Sequence, residues 1–362
     1  MNRPRVLFVT HHDLNSYNGN VTRVESLRNA VEGRCEVGLL GMRGFSDSKR
    51  HKWILRWPLW VAELFRAAYS NQWDWIVCVG QRFYPPIFGL LRLVLRRSYR
   101  ISYDAVLWWP LLPTDRRHGL KVPKLRARLR TLEERVACAT SNQVLAGSPS
   151  ALRFFENFNP NVILIPTIVD TDKFVPNLQS REAVRSKFGF TAADTVIGAL
   201  GPFTGVWNRL LLQFVLTQSL ASTVKFLVIG EVDQEVARQN IYYSGRVEDL
   251  AGYMSALDGV LILRTYPTDG AINRILQSMS MSLPVIANDV AAATIDFERG
   301  TPPLHILKDS DILESSGALF PSLEALKPIG PSGREFVLAN HSKLIIGPRL
   351  FGALSGNPRP DN

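Results

Sequence analysis

Short apolar runs alternate with helix-period segments along most of the chain. β-rich runs fall at 5–9, 35–40, 75–79, 100–103, 143–146 and 162–165. Between them, apolar residues recur at helical spacing over 21–31, 59–68, 86–95 and 124–139. The theme then repeats. Strands are expected at 196–200, 225–229, 260–263 and 284–287, with helices at 181–187, 209–220, 248–256 and 271–281. Strands that alternate with helices predict an α/β fold with parallel sheets, because a parallel return needs a long crossover. The two series join at 166–179, where Pro166 and Pro176 stand among polar residues. Two α/β halves are therefore expected, at 1–168 and 169–340. A C-terminal segment, 341–362, follows, and its end at 357–362 reads as a frayed tail.

Ligands of open parallel sheets sit beyond the carboxyl ends of strands, where helix N-termini present unpaired N–H groups. The segment 260–289 has the parts for such a place. A strand is followed by a loop with Pro267 and Gly270, and then by a helix with Ile272, Ile275, Leu276 and Met279 at helical spacing. A second strand closes the unit. Asp269, at the helix entrance, is placed to accept hydrogen bonds from sugar hydroxyls. Gln277, about two turns on, shares roughly the same face. The pattern alone also fits any βαβ unit of a doubly wound sheet.

This segment resembles the donor-binding motif of the retaining GT-B glycosyltransferases of the family-4-like, group 1 type. That motif is an acid, seven residues, a second acid, an Ala-Met-Ala-like run and Pro-Val-Ile-Ala. Here the positions hold Asp269, Gln277, Ser278-Met279-Ser280 and Pro284-Val285-Ile286-Ala287. The segment Ile165-Pro166-Thr167-Ile168-Val169-Asp170, followed by Phe174 and Pro176, resembles the interdomain string of the same family. Ser148 before Pro149 resembles its strand-to-helix turn, and Ser148 also suits an N-cap. A third match runs from Tyr243-Ser244-Gly245-Arg246 to Ala256-Leu257-Asp258.

The resemblance implies a GT-B architecture, with two Rossmann-like parallel-sheet domains facing a cleft. It implies transfer of a sugar from a nucleotide diphosphate sugar to an acceptor hydroxyl, with retention and without a bound metal or other cofactor. The nucleotide sugar is a co-substrate. The acceptor is a glycan or lipid-linked glycan of polysaccharide or cell-envelope biosynthesis. Carried onto this chain, the catalytic candidates are Asp104, Asp269 and Arg209. The donor-binding candidates are Gly19, Gly205, Arg246, Gly270, Ala271, Arg274 and Gln277. Gly19, flanked by Asn18 and Asn20, is what remains of the family's Gly-Gly turn. The chain also departs from the pattern. Its first acid is Asp, its second is an amide, and Arg209 is the one cation in the loop after 196–200. Arg264 and Arg274 are the substitutes for the missing lysine, since arginine binds phosphate bidentately. The usual histidine near the reacting carbon has no clear counterpart, so Asp104, His11 and His12 are the candidates. Two other readings stay open: a non-catalytic GT-B protein, and an epimerase or phosphorylase-type enzyme. A nicotinamide-dependent Rossmann enzyme is disfavoured, because no G-x-G-x-x-G follows the first strand.

Composition adds a surface. The chain of 362 residues carries a net charge of +10, yet residues 50–135 alone sum to +11. Seven of the eight tryptophans fall there as well: Trp53, Trp57, Trp60, Trp73, Trp75, Trp108 and Trp109. Cations beside aromatics suit an anionic membrane surface. The competing reading has the aromatics in the core and the cations solvated. No nucleic-acid motif is present. Three scattered cysteines, Cys35, Cys78 and Cys138, lack metal-ligand spacing and argue for a reducing compartment. With no leader-like or membrane-spanning run, the expected place is the cytoplasm, peripheral on the membrane face.

Overall fold

The computed structural model describes residues 3–15, 19–42, 57–70, 72–105, 124–201, 203, 208–221, 224–233, 235–236, 238–264, 269–295, 303–308, 312 and 323–356. Trp53, Trp108 and Trp109 lie outside them. The chain forms two compact units, Met1–Ile168 with Lys343–Asn362, and Val169–Ser342.

The first unit runs β1 (Arg5–Thr10), α1 (Gly19–Val31), β2 (Glu36–Gly41), α2 (Trp57–Tyr69), β3 (Trp75–Val79), α3 (Tyr84–Val94), β4 (Arg100–Ala105), α4 (Lys124–Thr140), β5 (Gln143–Ala146), α5 (Pro149–Phe155) and β6 (Val162–Leu164). Its sheet has the order β2-β1-β3-β4-β5-β6, with every pairing parallel. Each strand lies within two residues of the apolar run that predicted it. The reason is burial on both faces. Val6 and Phe8 point at α1 with Val24 and Leu27, while Leu7 and Val9 point at Trp60 and Leu64 of α2. α5 begins as its sequence reads, with Ser148 accepting from the Ala151 N–H at 3.2 Å.

The second unit runs α6 (Leu178–Lys187), β7 (Val196–Leu200), α7 (Arg209–Ala221), β8 (Lys225–Ile229), β9 (Ile241–Gly245), α8 (Leu250–Ser255), β10 (Gly259–Ile262), α9 (Asp269–Ser280), β11 (Val285–Asn288), α10 (Asp289–Ala292) and β12 (His305–Leu307). Helices Leu323–Leu326 and Ile329–Asn340 follow. The sheet order is β12-β11-β10-β7-β8-β9, again parallel. Asp258 ties α6 to this sheet. It accepts from Arg181 at 2.6 Å, from Arg185 at 3.3 Å and from the Val196 N–H at 2.8 Å. The buried Arg185 also donates to the carbonyls of Ala256, Thr191 and Asp194.

Tertiary packing decides the last helices. Helix Ile329–Asn340 lies against α9 through Gly333 at Met279, and against the turn after α9 through Gly330. A Cβ on Gly330 would overlap the Ser282 carbonyl oxygen. Helix Lys343–Ser355 belongs to the first unit and lies on α1, with Gly347 so close that a Cβ would sit 2.5 Å from the Ala30 carbonyl oxygen. The three thiols are buried, and burial pushes Cys35 up to about 11 and Cys138 up to about 12. They behave as small apolar residues. Among the described residues no helix is long and apolar enough to cross a membrane.

Alanine at either close glycine raises helix propensity by about 1 kcal/mol but forces a carbon into a backbone oxygen. Gly330→Ala and Gly347→Ala are each expected to lower stability by about 1–2 kcal/mol net. Thermal melts check this, and a raised melting temperature would contradict the packing described.

Candidate functional site

Strand order locates the crevices. In the second sheet the chain winds outward from β7 to β9 and then returns to place β10 on the other side of β7. In open α/β sheets ligands bind where the winding reverses, which here is at the carboxyl ends of β7 and β10. Arg264 stands there, just after β10. Its N–H donates to Asn288 Oδ1 at 3.0 Å and its carbonyl accepts from Asn288 Nδ2 at 2.7 Å. The fully buried Asn288 thus continues the β10–β11 ladder with its amide and also caps α10. Arg264 Nη1 donates to Asn208 Oδ1. Asn208 has a left-handed backbone, φ 60°, immediately before α7. Asparagine tolerates that conformation. The contact therefore joins the ends of β10 and the β7–α7 loop across the reversal.

The helix after β10 is α9, which begins at Asp269. Its first N–H groups have no intrahelical partner, and its N-terminal end carries a partial positive charge. Gly270 and Ala271 lie in that first turn. Ile275, Leu276 and Met279 bury the opposite stripe in the core, which fixes the helix orientation. Arg274 Nη1 donates to Gln277 Oε1 at 3.0 Å. Burial pulls the Arg274 pKa down. The bond engages the amide oxygen of Gln277, and the NH2 group remains its donor.

The first sheet reverses between β1 and β3, since β2 lies outside β1 and β3 lies on its other side. His11 and Gln81 follow those two strands, and their side-chain nitrogens lie 3.3 Å apart. The His11 and His12 rings are 3.7 Å apart between centroids. Burial and the neighbouring His12 hold the His11 imidazole down at about 3. Gly80, at φ 73°, lets Asn20 of α1 sit over the end of β3; a Cβ there would lie 2.7 Å from Asn20 Oδ1. Beneath this edge Arg23 of α1 grips Asp104 of β4, with Nε to Oδ2 at 3.0 Å and Nη2 to Oδ1 at 2.9 Å. The same guanidinium donates to the carbonyls of Ile165 at 2.7 Å and Pro166 at 2.6 Å. Both side chains of the pair are buried.

The residues singled out from the sequence therefore distribute over two sheet edges. Arg274, Gln277, Gly270 and Ala271 share α9 with Asp269. The side chains of Asp269, Ala271 and Arg209, and all of Gly205, lie outside the described residues. Arg246 is exposed just after β9 and Gly245. Gly19 opens α1 with free space where a Cβ would be. Asp104 is held on both oxygens by Arg23, inside the first unit. Four residues were not singled out: Gln81, Arg23, Asn208 and Asn288. Gln81 carries a readable signal, because it directly follows a predicted central strand. Arg23 carries none, and Asn288 signals only its cap on α10; their other roles come from partners 24 to 143 positions away. Among the described residues no three His, Cys, Asp or Glu side chains are placed to hold a metal ion.

Residues 195–311 match the family described as group 1 glycosyl transferases. No curated protein matches the chain in sequence. Several solved structures share its fold along nearly its whole length. HepE of Anabaena in complex with UDP and glucose is 13% identical, with a TM-score of 0.71 over 98% of this chain and 100% of that one. A glycosyltransferase from Rickettsia africae is 14% identical, with a TM-score of 0.66 over 99% and 100%. WaaG, a glycosyltransferase involved in lipopolysaccharide biosynthesis, is 14% identical, with a TM-score of 0.54 over 98% and 96%. The two parallel sheets are those of the GT-B fold.

Two outcomes follow from the first-unit edge. His11 loses affinity for protons on folding, so the unfolded chain binds more of them between about pH 6.5 and 3. Its contribution to stability is fully present above pH 6.5 and is lost as pH falls toward 3. The imidazole carbon shifts of His11 should stay flat down to about pH 4, and a midpoint near 6.5 would refute the burial. Asp104→Ala strands the buried Arg23 charge, which costs about 3 kcal/mol. Chemical denaturation should show that loss in the first unit. A normal denaturation midpoint with abolished turnover would instead mark Asp104 as a group acting only in the chemistry.

Proposed function

We propose that this chain, a GT-B protein whose residues 195–311 form a group 1 glycosyl transferase domain, transfers a sugar from a nucleotide diphosphate sugar to an acceptor hydroxyl. The observation that carries the reading is the set of donors at the carboxyl edge of the second sheet. Arg264 stands just after β10, Arg274 sits in α9 held by Gln277, and the α9 N-terminus opens at the same edge. The UDP-bound state of HepE, whose fold this chain shares, supports a donor of that class.

The chemistry is a charge problem. The leaving diphosphate gathers negative charge as the anomeric carbon becomes cationic. Prepositioned cations and N–H dipoles stabilise that change without reorganising. Arg209, Arg264 and Arg274 would meet the phosphates, with the backbone N–H groups of Gly270 and Ala271. Asp269 would hold the donor sugar. Gln277 would offer its amide N–H to a ribose oxygen, and Arg246 would contact base or phosphate. Gly19 and Gly205 would let backbone approach the ligand. No metal or other cofactor enters this account, and retention of configuration follows the family pattern. The acceptor would lie along the first-unit edge by His11 and Gln81. A neutral His11 there can hydrogen-bond a hydroxyl. Asp104 would act through Arg23, fixing α1 and the strand ends beneath that edge. The acceptor class is a glycan or lipid-linked glycan of polysaccharide or cell-envelope biosynthesis. The excess charge of residues 50–135 favours peripheral contact with an anionic membrane at its cytoplasmic face.

A second reading is a non-catalytic GT-B protein that binds a nucleotide sugar for a partner enzyme. It is favoured by Gln277, an amide where relatives have a second acid, and by Asp104, whose oxygens are already engaged.

A thermal-shift panel of UDP, GDP, CMP, ADP and dTDP tests the donor site. A ligand at one hundred times its dissociation constant adds about 2.7 kcal/mol to stability. One nucleotide should stabilise selectively, and Asp269→Ala should weaken the effect of its sugar conjugate. Binding without sugar transfer to any acceptor would select the second reading, and no shift with any nucleotide would remove both.

A further inference from the structure

The outer side of the first unit carries a cationic recess that neither the fold nor the transfer chemistry uses. It lies where α3 and α4 end, at the amino edge of the sheet, and measures about 700 Å³. Arg92, Arg96, Arg97, Leu93 and Asn142 line it, and no acidic residue does. Arginines near helix C-termini often serve the helix ends, so that role must be subtracted first. Arg92 is already engaged, with Nη1 donating to Asn142 Oδ1 in the loop between α4 and β5 at 2.7 Å. The end of α3 is closed by backbone alone. The Arg97 N–H donates to the Arg92 carbonyl and the Arg96 N–H to the Leu93 carbonyl, which is the Schellman pattern.

The guanidiniums of Arg96 and Arg97 are therefore not needed to close the helix end. Arg96 occupies the left-handed position of that motif, at φ 52°, where glycine is the relaxed choice. Such strain tends to persist at functional positions. Arg97 is held over the Tyr69 ring, 4.9 Å from its centroid, and its buried Nε has no hydrogen-bond partner. The two helix ends contribute about −0.5 charge each against three cations, so the recess stays net positive.

Exposed apolar side chains lie on α3 and its neighbouring helices. Leu90, Leu93 and Val94 of α3 are 62%, 77% and 67% exposed. Phe65 and Tyr69 on α2, and Leu132 and Val136 on α4, continue the exposed apolar surface on the neighbouring helices. Adjacent exposed apolar stripes of this extent mark an interaction surface. The occupant must be apolar in breadth and anionic at one point. Guanidinium forks match phosphate oxygens bidentately.

We propose that this recess binds the phosphate of an anionic lipid headgroup, with Arg96 and Arg97 as its ligands and Leu90, Leu93 and Val94 entering the acyl boundary. The proposal deepens the membrane contact suggested above. It is independent of the donor site, which lies in the other unit.

The test is vesicle co-sedimentation of the full chain at physiological salt. Phosphatidylcholine vesicles are compared with vesicles rich in phosphatidylglycerol. The chain should bind the second and not the first. Arg96→Gly should raise the melting temperature, because it relieves the left-handed arginine, yet weaken vesicle binding about fivefold. Opposite signs exclude misfolding as the cause. Arg96→Gly with Arg97→Gln should weaken binding by tenfold or more, on the order expected for two lost contacts. Leu93→Ser should also weaken it. The charge-matched pair Arg28→Gln with Arg128→Gln, outside the recess, should retain most of it. Equal loss in that pair would show a diffuse charge effect and overturn the recess, leaving the membrane contact standing. Equal binding to both vesicle types would overturn it too. Absence of vesicle binding, with concentration-dependent dimers that Leu93→Ser dissolves, would assign the face to a second copy of this chain. Thermal shifts with nucleotides on each variant keep this outcome separate from failure of the donor site.

Discussion

In a parallel sheet every strand points the same way, so each reversal of the chain must be carried across one face. Both faces then become covered, and the strands must be apolar on both sides. That constraint generates most of this structure. It explains why Val6 to Val9 are all buried and why helices flank each strand. It also explains why polar chemistry collects at the strand ends, the part of the sheet left uncovered. The winding changes direction between β1 and β3 and between β7 and β10, the points at which open α/β sheets bind ligands. His11 with Gln81, and Arg264 with Asn208, are the polar contacts found at those two points.

Buried charge fixes the edges. Arg23 with Asp104 is removed from water, and Arg185 is buried against the partly exposed Asp258; each pair is surrounded by further hydrogen bonds to carbonyls or N–H groups. Such pairs contribute little net stability against apolar residues of similar size, but losing one partner is costly. Their effect is positional. Arg23 sets α1 against the end of β4 and the carbonyls of Ile165 and Pro166, and Arg185 sets α6 against β7 and β10. Arg274 differs, because its partner is an amide rather than a carboxylate. Its charge is held in place without being neutralised, which is the condition an anionic ligand needs.

The basic, tryptophan-rich region divides in the folded chain. Trp60 and Trp75 are in the core, as large apolar side chains with one polar atom to satisfy, and Trp60 donates to Tyr84 OH. Among the described residues Arg66, Arg96, Arg100, Arg128 and Arg135 are exposed, and the exposed apolar side chains of the same region are leucine, valine, phenylalanine and tyrosine. The membrane reading keeps the cations of that region, Arg96 and Arg97 among them, and replaces the tryptophans by exposed side chains such as Leu90, Leu93 and Val94.

The succession of elements was legible because burial on both faces leaves a local signature, a short apolar run followed by a helical stripe. The family resemblance was legible for the same local reason, in the strings around 165–176 and 260–289. Three things were not. The strand His305–Leu307 is too short to show a pattern. Helices Ile329–Asn340 and Lys343–Ser355 depend on glycine contacts with distant backbone, Gly330 with Ser282 and Gly347 with Ala30. The state of Asp104, a carboxylate already claimed by Arg23, rests on a partner 81 positions away. Periodicity along the chain determined the α/β units and their strands, since it records how each residue meets its own sheet. Strand order, the pairing of buried charges, and which surface stays apolar and exposed were decided by the tertiary structure. They depend on residues meeting across the chain, and no local pattern records that.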